Sequence, residues 1–345
     1  MRVWFVGDFS IRNVGSLTLI DSPFKEGDSV IANYEGVVDK LSKFENNRVY
    51  LGQSSEGLSL AQRVGITHFG VANNHVHDFG EEVFEAAIDA LKTSGFEVAG
   101  FSGKRGSQCS LVFSTSGGKC VEVFCVVTAE TGALTDAVSR GGLCCCDAES
   151  KDLLEFLAKN KEKGVVSVVY VHWGETNYRY PSWKMRSLAA EYLKRGARYV
   201  VGHHSHVVQG REKKANGDVF YSLGNLVFDE YFGRKGLLRL PAENRESLVV
   251  GIDFDTDEVD VLRAIYNPLR RELEFHRDLG LQFSIYSAPL RLAGWMYSIF
   301  IRFYFAFRLL KRAAYWLHPA RINQVGPRQF GALCSLVMKL LGRSK

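Results

Sequence analysis

Ligand-type side chains stand where apolar runs end, and this placement constrains the chain more than any other feature. Asp8 follows the run 2–7, Glu35 follows Ser29–Tyr34, and Asn74 and His75 follow 66–72. His172 follows 165–171, and His204 and His206 follow 199–202. The runs are short and rich in Val, Ile, Phe and Tyr, the composition of buried strands. Segments with helical spacing lie between them: 58–64, Glu81–Thr93, 152–160 and Trp183–Arg195. In the second of these, Val83, Phe84, Ala87, Ile88 and Leu91 form one apolar face. Further apolar runs at 121–127, 219–223 and 248–254 complete the set. Strands that alternate with helices imply an α/β layered fold. Open α/β sheets bind ligands at the carboxyl ends of their strands. Donors that close several strands therefore converge on one edge, which makes a metal site.

Taken singly, the pieces are modest. Gly7-Asp8 and Asn33-Tyr34-Glu35-Gly36 are ordinary turn sequences. Ala72-Asn73-Asn74-His75 carries more, because an Asn carbonyl is an acceptable hard-metal ligand and an adjacent His suits general acid catalysis. The same run also fits a helix-entry turn. His172-Trp173-Gly174 fits a metal ligand and a satisfied core histidine about equally. His204-Ser205-His206 puts two imidazoles on one side of an extended segment.

Their order is far more specific than any part. With Gly202-His203-His204-Ser205-His206-Val207-Val208-Gln209 and the runs 72–80 and 221–229, the series resembles the metallophosphoesterases. More closely it is similar to their CapA branch, the poly-γ-glutamate capsule synthesis family. The resemblance covers roughly residues 1–255. It implies a four-layer αββα metallophosphoesterase-like sandwich there. Beyond it, the sequence itself suggests a closing strand and connector over 256–290 and a helical, basic and aromatic extension over 291–345.

The resemblance also implies roles. Asp8 and His206 hold a first divalent ion, Asn74, His172 and His204 hold a second, and Glu35 bridges them. His75 acts as the catalytic acid or steadies phosphoryl oxygens. Arg12, Asn33, Asn73, Asp78 and Asn225 are expected at the substrate. A nitrogen and oxygen donor set without thiolate suits Mn, Fe or Zn, as one or two ions. The expected reaction is hydrolysis of a phosphoester on a phosphorylated or polymer-precursor substrate. The competing expectation is a non-catalytic metal-binding scaffold in a membrane-associated polymer-synthesis complex.

This chain departs from the pattern in places. Ser10 stands where the wider superfamily has a first-metal His. Arg12-Asn13 stands near a Gly-Arg pair of the branch, and Glu175-Thr176-Asn177-Tyr178 replaces a tighter Glu-Tyr. The ligands are kept while the outer pocket diverges.

Charge divides the chain. Residues 291–345 hold ten Lys and Arg and no Asp or Glu, which leaves 33 basic against 38 acidic residues before them. An acidic body without a basic, aromatic-laced strand argues against a nucleic-acid partner. The basic tail, with Trp295, Ile299, Phe303 and Phe307 at helical spacing, is expected at a membrane surface. The alternatives for the tail are a helix that docks on the body or joins copies of the chain, and, last, a nucleic-acid contact. Seven cysteines, three of them consecutive at 144–146, are expected as free thiols. Met1 leads directly into an apolar strand without a signal-peptide pattern. Together these predict a cytoplasmic protein, peripheral at the inner face of the membrane.

Overall fold

The computed structural model describes residues 1–317 except 13–14, 46–47, 104–105, 134, 136–142 and 234–235. The chain divides into two units, Met1–Ala288 and Pro289–Lys345.

Two large sheets form the centre of the first unit, with four small ones of two or three strands beside them among the described residues. Across the larger one the described strands run Thr18–Ile20, Glu272–His276, Glu258–Asn267, Glu246–Asp253, Arg2–Ser10, Ser29–Tyr34, His68–Gly70 and Glu97–Ala99. A short strand, Asn225–Phe228, also pairs in parallel with the end of Arg2–Ser10. The smaller sheet runs Ser110–Ser114, Cys120–Val127, Val166–His172, Ala197–His203, Gly217–Phe220 and Arg211–Lys214.

Period-two alternation decides which face each side chain takes. Val3, Phe5 and Ile31 of the larger sheet pack in one buried cluster with Val121, Val123, Val168, Tyr199 and Val201 of the smaller sheet. Their neighbours Trp4, Val6, Val30 and Ala32 join a second cluster with Leu58, Ala61, Phe84, Ile88 and Leu91. Those last five belong to the helices Glu56–Val64 and Glu81–Thr93. The helices Lys151–Glu162 and Trp183–Arg195 pack on the smaller sheet. They bury Leu153, Leu157, Met185, Ala189, Tyr192 and Leu193. The layers are therefore helix, sheet, sheet, helix. Tyr170 ties the two sheets together, its hydroxyl donating to the Val6 carbonyl at 2.7 Å.

Two expectations need correction. The first strand does not stop before Asp8; it continues to Ser10. Parallel pairing of Asp8 with Asn225 and of Phe9 with Val227 keeps this backbone extended, with a register shift between the two pairs. The cysteines are not all free either, because Cys109 and Cys146 form a disulfide with Cα atoms 5.7 Å apart. The fold brings these two strand-flanking residues together although 37 positions separate them. Cys120, Cys125, Cys144 and Cys145 remain thiols. The cysteines thus give no argument for a reducing compartment.

In the second unit, one helix runs Gly294–Leu317. No helix among the described residues is long and apolar enough to cross a membrane. The rest of the predicted tail, 318–345, lies outside the described residues.

Candidate metal centre

The carboxyl ends of Arg2–Ser10, Ser29–Tyr34, Val166–His172 and Ala197–His203 bring the predicted donors together. Asp8, Glu35 and His206 offer ligand atoms within 4.8 Å of one another, as do Glu35, His172 and His204. A third trio, Asp8, His172 and His203, meets the same limit. Asp8, Glu35 and His172 are fully buried, and His204 is nearly so.

The geometry is dense. His206 bridges the two carboxylates, with Nδ1 3.3 Å from Asp8 Oδ2 and Nε2 3.5 Å from Glu35 Oε1. Asn33 Nδ2 donates to Asp8 Oδ1 at 2.8 Å and to Glu35 Oε2 at 3.3 Å. His172 Nε2 lies 2.8 Å from Asn74 Oδ1, so these two predicted ligands converge on one point. His75 Nδ1 bonds Asp78 Oδ2 at 2.7 Å, which leaves Nε2 3.9 Å from Glu35 Oε1.

His204 and His206 have positive φ angles, 90° and 56°. Non-glycine residues rarely adopt them, and such strain collects at functional sites. The turn is held from outside: the His204 amide points at Asp8 Oδ2 at 3.4 Å, and His206 Nδ1 meets Asn225 Oδ1 at 2.9 Å.

Burial raises the pKa of Asp8, but hydrogen bonds and charge from His203 and His206 outweigh it and hold the carboxyl well below its usual range. Glu35 lacks such compensation: burial pushes it up to about 8 despite His206. Burial opposes the charged form of His206, yet Glu35 and Asp8 raise it to about 9. Burial lowers His172, His203 and His204, the last to about 3. Metal binding needs the neutral imidazole, the form burial favours at these three.

Two buried atoms test whether the residues fit a cation. Glu35 Oε1 and His204 Nδ1 are shielded from solvent and have no hydrogen-bond partner. An unsatisfied buried acceptor is costly, and a bound cation would remove that cost. The donor set is carboxylate, amide and imidazole, which suits a divalent ion. The residues fit.

The residues predicted at the substrate lie mostly behind the ligands. Asn73 donates to Asn33 Oδ1 and to the Tyr34 carbonyl, and accepts from the His75 amide. Asp78 accepts from the Leu51 amide besides holding His75. Asn225 donates to the Asn244 carbonyl while it faces His206. Arg12 reaches the Asp229 carbonyl, Ser42 and Ser10. Ser10 donates to the Glu35 carbonyl at 3.0 Å, so the residue in place of the superfamily histidine holds the Glu35 backbone.

Sequence reasoning passed over two residues. His203 Nδ1 lies 3.3 Å from Asp8 Oδ1 and 2.9 Å from His172 Nδ1. Its adjacency to His204 was the available signal. Asn244 donates to the His206 carbonyl and to Asn177 Oδ1. No local pattern marks Asn244, which arrives from a separate short helical turn.

The family model described as "Bacterial capsule synthesis protein PGA_cap" matches residues 17–230. The capsule biosynthesis protein CapA of Bacillus anthracis is 31% identical over 224 residues, 62% of this chain and 54% of that protein. The PGA biosynthesis protein CapA of Bacillus subtilis (strain 168) is 24% identical over 265 residues, 73% of this chain and 67% of that protein. This chain thus spans about half the length of the first relative. A crystal structure of the calcineurin-like phosphoesterase YfkN from Bacillus subtilis covers 77% of this chain and 86% of its own at 12% identity. Its TM-score is 0.38, and nothing below rests on it. With the family model spanning well over half the chain, this protein belongs to the bacterial capsule synthesis protein family.

Proposed function

We propose that this protein is a divalent-metal-dependent phosphoester hydrolase acting on a phosphorylated precursor of a capsular or other cell-surface polymer. The observation that carries the reading is that Glu35 Oε1 and His204 Nδ1 are buried without a hydrogen-bond partner inside a cluster of carboxylates and imidazoles. The names of the two relatives supply the link to capsule and PGA synthesis.

Asp8, Glu35 and His206 would hold one ion, and Asn74, His172 and His204 a second. Bound there, such ions supply Lewis acidity for a phosphoryl group and for water. The chain's own residues do the rest. Asp78 fixes the His75 ring through Nδ1, so Nε2 is presented beside Glu35. Water would attack phosphorus, the bond from phosphorus to the ester oxygen would break, His75 Nε2 would give that oxygen a proton, and the proton released by the water would pass to solvent, from which the His75 ring is recharged. Asn33 holds Asp8 and Glu35 at a fixed separation, and Ser10 holds the Glu35 backbone.

The test measures bound metal together with hydrolysis of an aryl phosphate and an aryl phosphodiester in Mn²⁺. The wild type should bind metal and turn over at least one of them. His75→Ala should keep the metal and lose about 10²–10⁴ in rate, and His204→Ala should lose both. Metal without turnover in the wild type would favour the scaffold role. No metal under any condition would end the hydrolase reading.

A further inference from the structure

We infer that the helix Gly294–Leu317 is a docking surface for an anionic lipid bilayer, on which it lies with its axis in the plane. This goes beyond the hydrolase reading and does not depend on it. The helix has 24 residues, a length of about 36 Å. Trp295, Met296, Ile299, Phe303, Phe307 and Leu310 all expose their side chains, Trp295 by 69% and Phe303 by 73%. At about 100° per residue, these six occupy one continuous arc of about 120°. Tyr297 and Ile301 are buried and fall on the opposite side of the helix.

Charge says what covers the arc. Arg302 and Lys311, both exposed, lie on the two borders of the stripe. From Arg291 onward the chain holds ten Lys and Arg and no acidic residue. Aromatic and aliphatic side chains bordered by cations match a headgroup region, where apolar groups enter the acyl boundary and cations meet lipid phosphates. Lys311 already places its ammonium 4.9 Å from the Phe307 ring, as amphipathic side chains do when the stem covers apolar surface. A nucleic acid would use the cations but would leave Met296, Ile299 and Leu310 in water. A second copy of this helix would bring cations against cations along both borders.

The experiment is co-sedimentation of the full chain with vesicles of phosphatidylcholine alone and of phosphatidylcholine mixed with phosphatidylglycerol. The paired variant Phe303→Ser with Phe307→Ser is run beside the wild type. The wild type should pellet with the anionic vesicles and stay in solution with the neutral ones. The variant should bind about tenfold more weakly or worse, with an unchanged melting temperature. Four outcomes would overturn the proposal: no pelleting with anionic vesicles; equal pelleting with neutral ones; full binding by the folded variant, which would move the contact to other basic residues; or a wild-type dimer that the paired substitution dissociates. Binding to duplex DNA with no binding to anionic vesicles would replace the membrane with a nucleic acid. Because His204→Ala leaves this helix intact, it should sediment like the wild type even if the hydrolase reading fails.

Discussion

His203 differs from a core aromatic by its nitrogens alone. Its ring packs on Tyr170 with centroids 4.4 Å apart, which any flat ring could do, but Nδ1 faces both Asp8 and His172. Groups that orient ligands in this way typically change metal affinity 10–100-fold when removed. His203→Phe keeps the ring and loses the nitrogens, so Mn²⁺ affinity measured by calorimetric titration should fall by about that factor. Unchanged affinity would make His203 a packing residue. A second histidine, outside the metal centre, offers a cleaner titration. His68 lies against Phe113, with its Nδ1 2.7 Å from the Thr67 hydroxyl, and burial lowers it to about 4. In the unfolded chain it titrates near 6.5. Between these values the unfolded chain holds the proton and the folded one does not, so stability rises with pH across that window and falls toward pH 4. The effect is at most about 3 kcal/mol. Melting curves from pH 4 to 7 should show a shallower slope for His68→Phe than for the wild type; parallel curves would remove His68 as a source.

At the scale of elements, the strand Arg2–Ser10 delivers Asp8 only because Gly7 lets another chain segment come close. A Cβ on Gly7 would lie 1.9 Å from the Gly224 carbonyl oxygen, the same oxygen that accepts from the Asp8 amide at 3.0 Å. Gly7→Ala must push the two segments apart, at a cost of about 1–3 kcal/mol or more. It should lower the melting temperature and weaken metal binding together, whereas a fall in stability with intact metal affinity would uncouple this contact from the centre. Nothing in the sequence marks Gly7 as more than a turn glycine, because its partner is 217 residues away in the chain. Features carried by local periodicity were legible: the helix Trp183–Arg195 has the bounds its spacing predicts, and Glu56–Val64 starts two residues early. The strand-ending donors were legible for the same reason, since burial of a run and the polar residue that stops it are neighbours. What depends on register between distant strands was not legible. The Cys109–Cys146 bond, the Asn244 contact with His206 and the extension of the first strand through Asp8 all arise from pairing that no short window contains.

For the molecule as a whole, the centre is a concentrated cost. Two fully buried carboxylates and three imidazoles kept neutral by burial share one edge of the sandwich. Buried charge is expensive unless paired, and Glu35 at about 8 shows that the protein groups alone compensate it poorly. A cation that binds the folded chain and not the unfolded one adds RT ln(1 + [L]/Kd) to stability, about 2.7 kcal/mol at one hundred times Kd. For a chain of this size such a gain raises the melting temperature by only a few degrees, which differential scanning calorimetry resolves. Mn²⁺ should therefore raise the wild-type midpoint, and EDTA should return it to the metal-free value. His204→Ala should blunt the rise, because it removes a donor whose Nδ1 has no other partner. Asp8→Asn, which takes from His203 and His206 the carboxylate they pair with, should melt lower than the wild type in EDTA and also gain little from Mn²⁺. If Mn²⁺ shifts the wild type and both variants equally, the stabilising ion binds elsewhere and the orphaned atoms of Glu35 and His204 need another explanation.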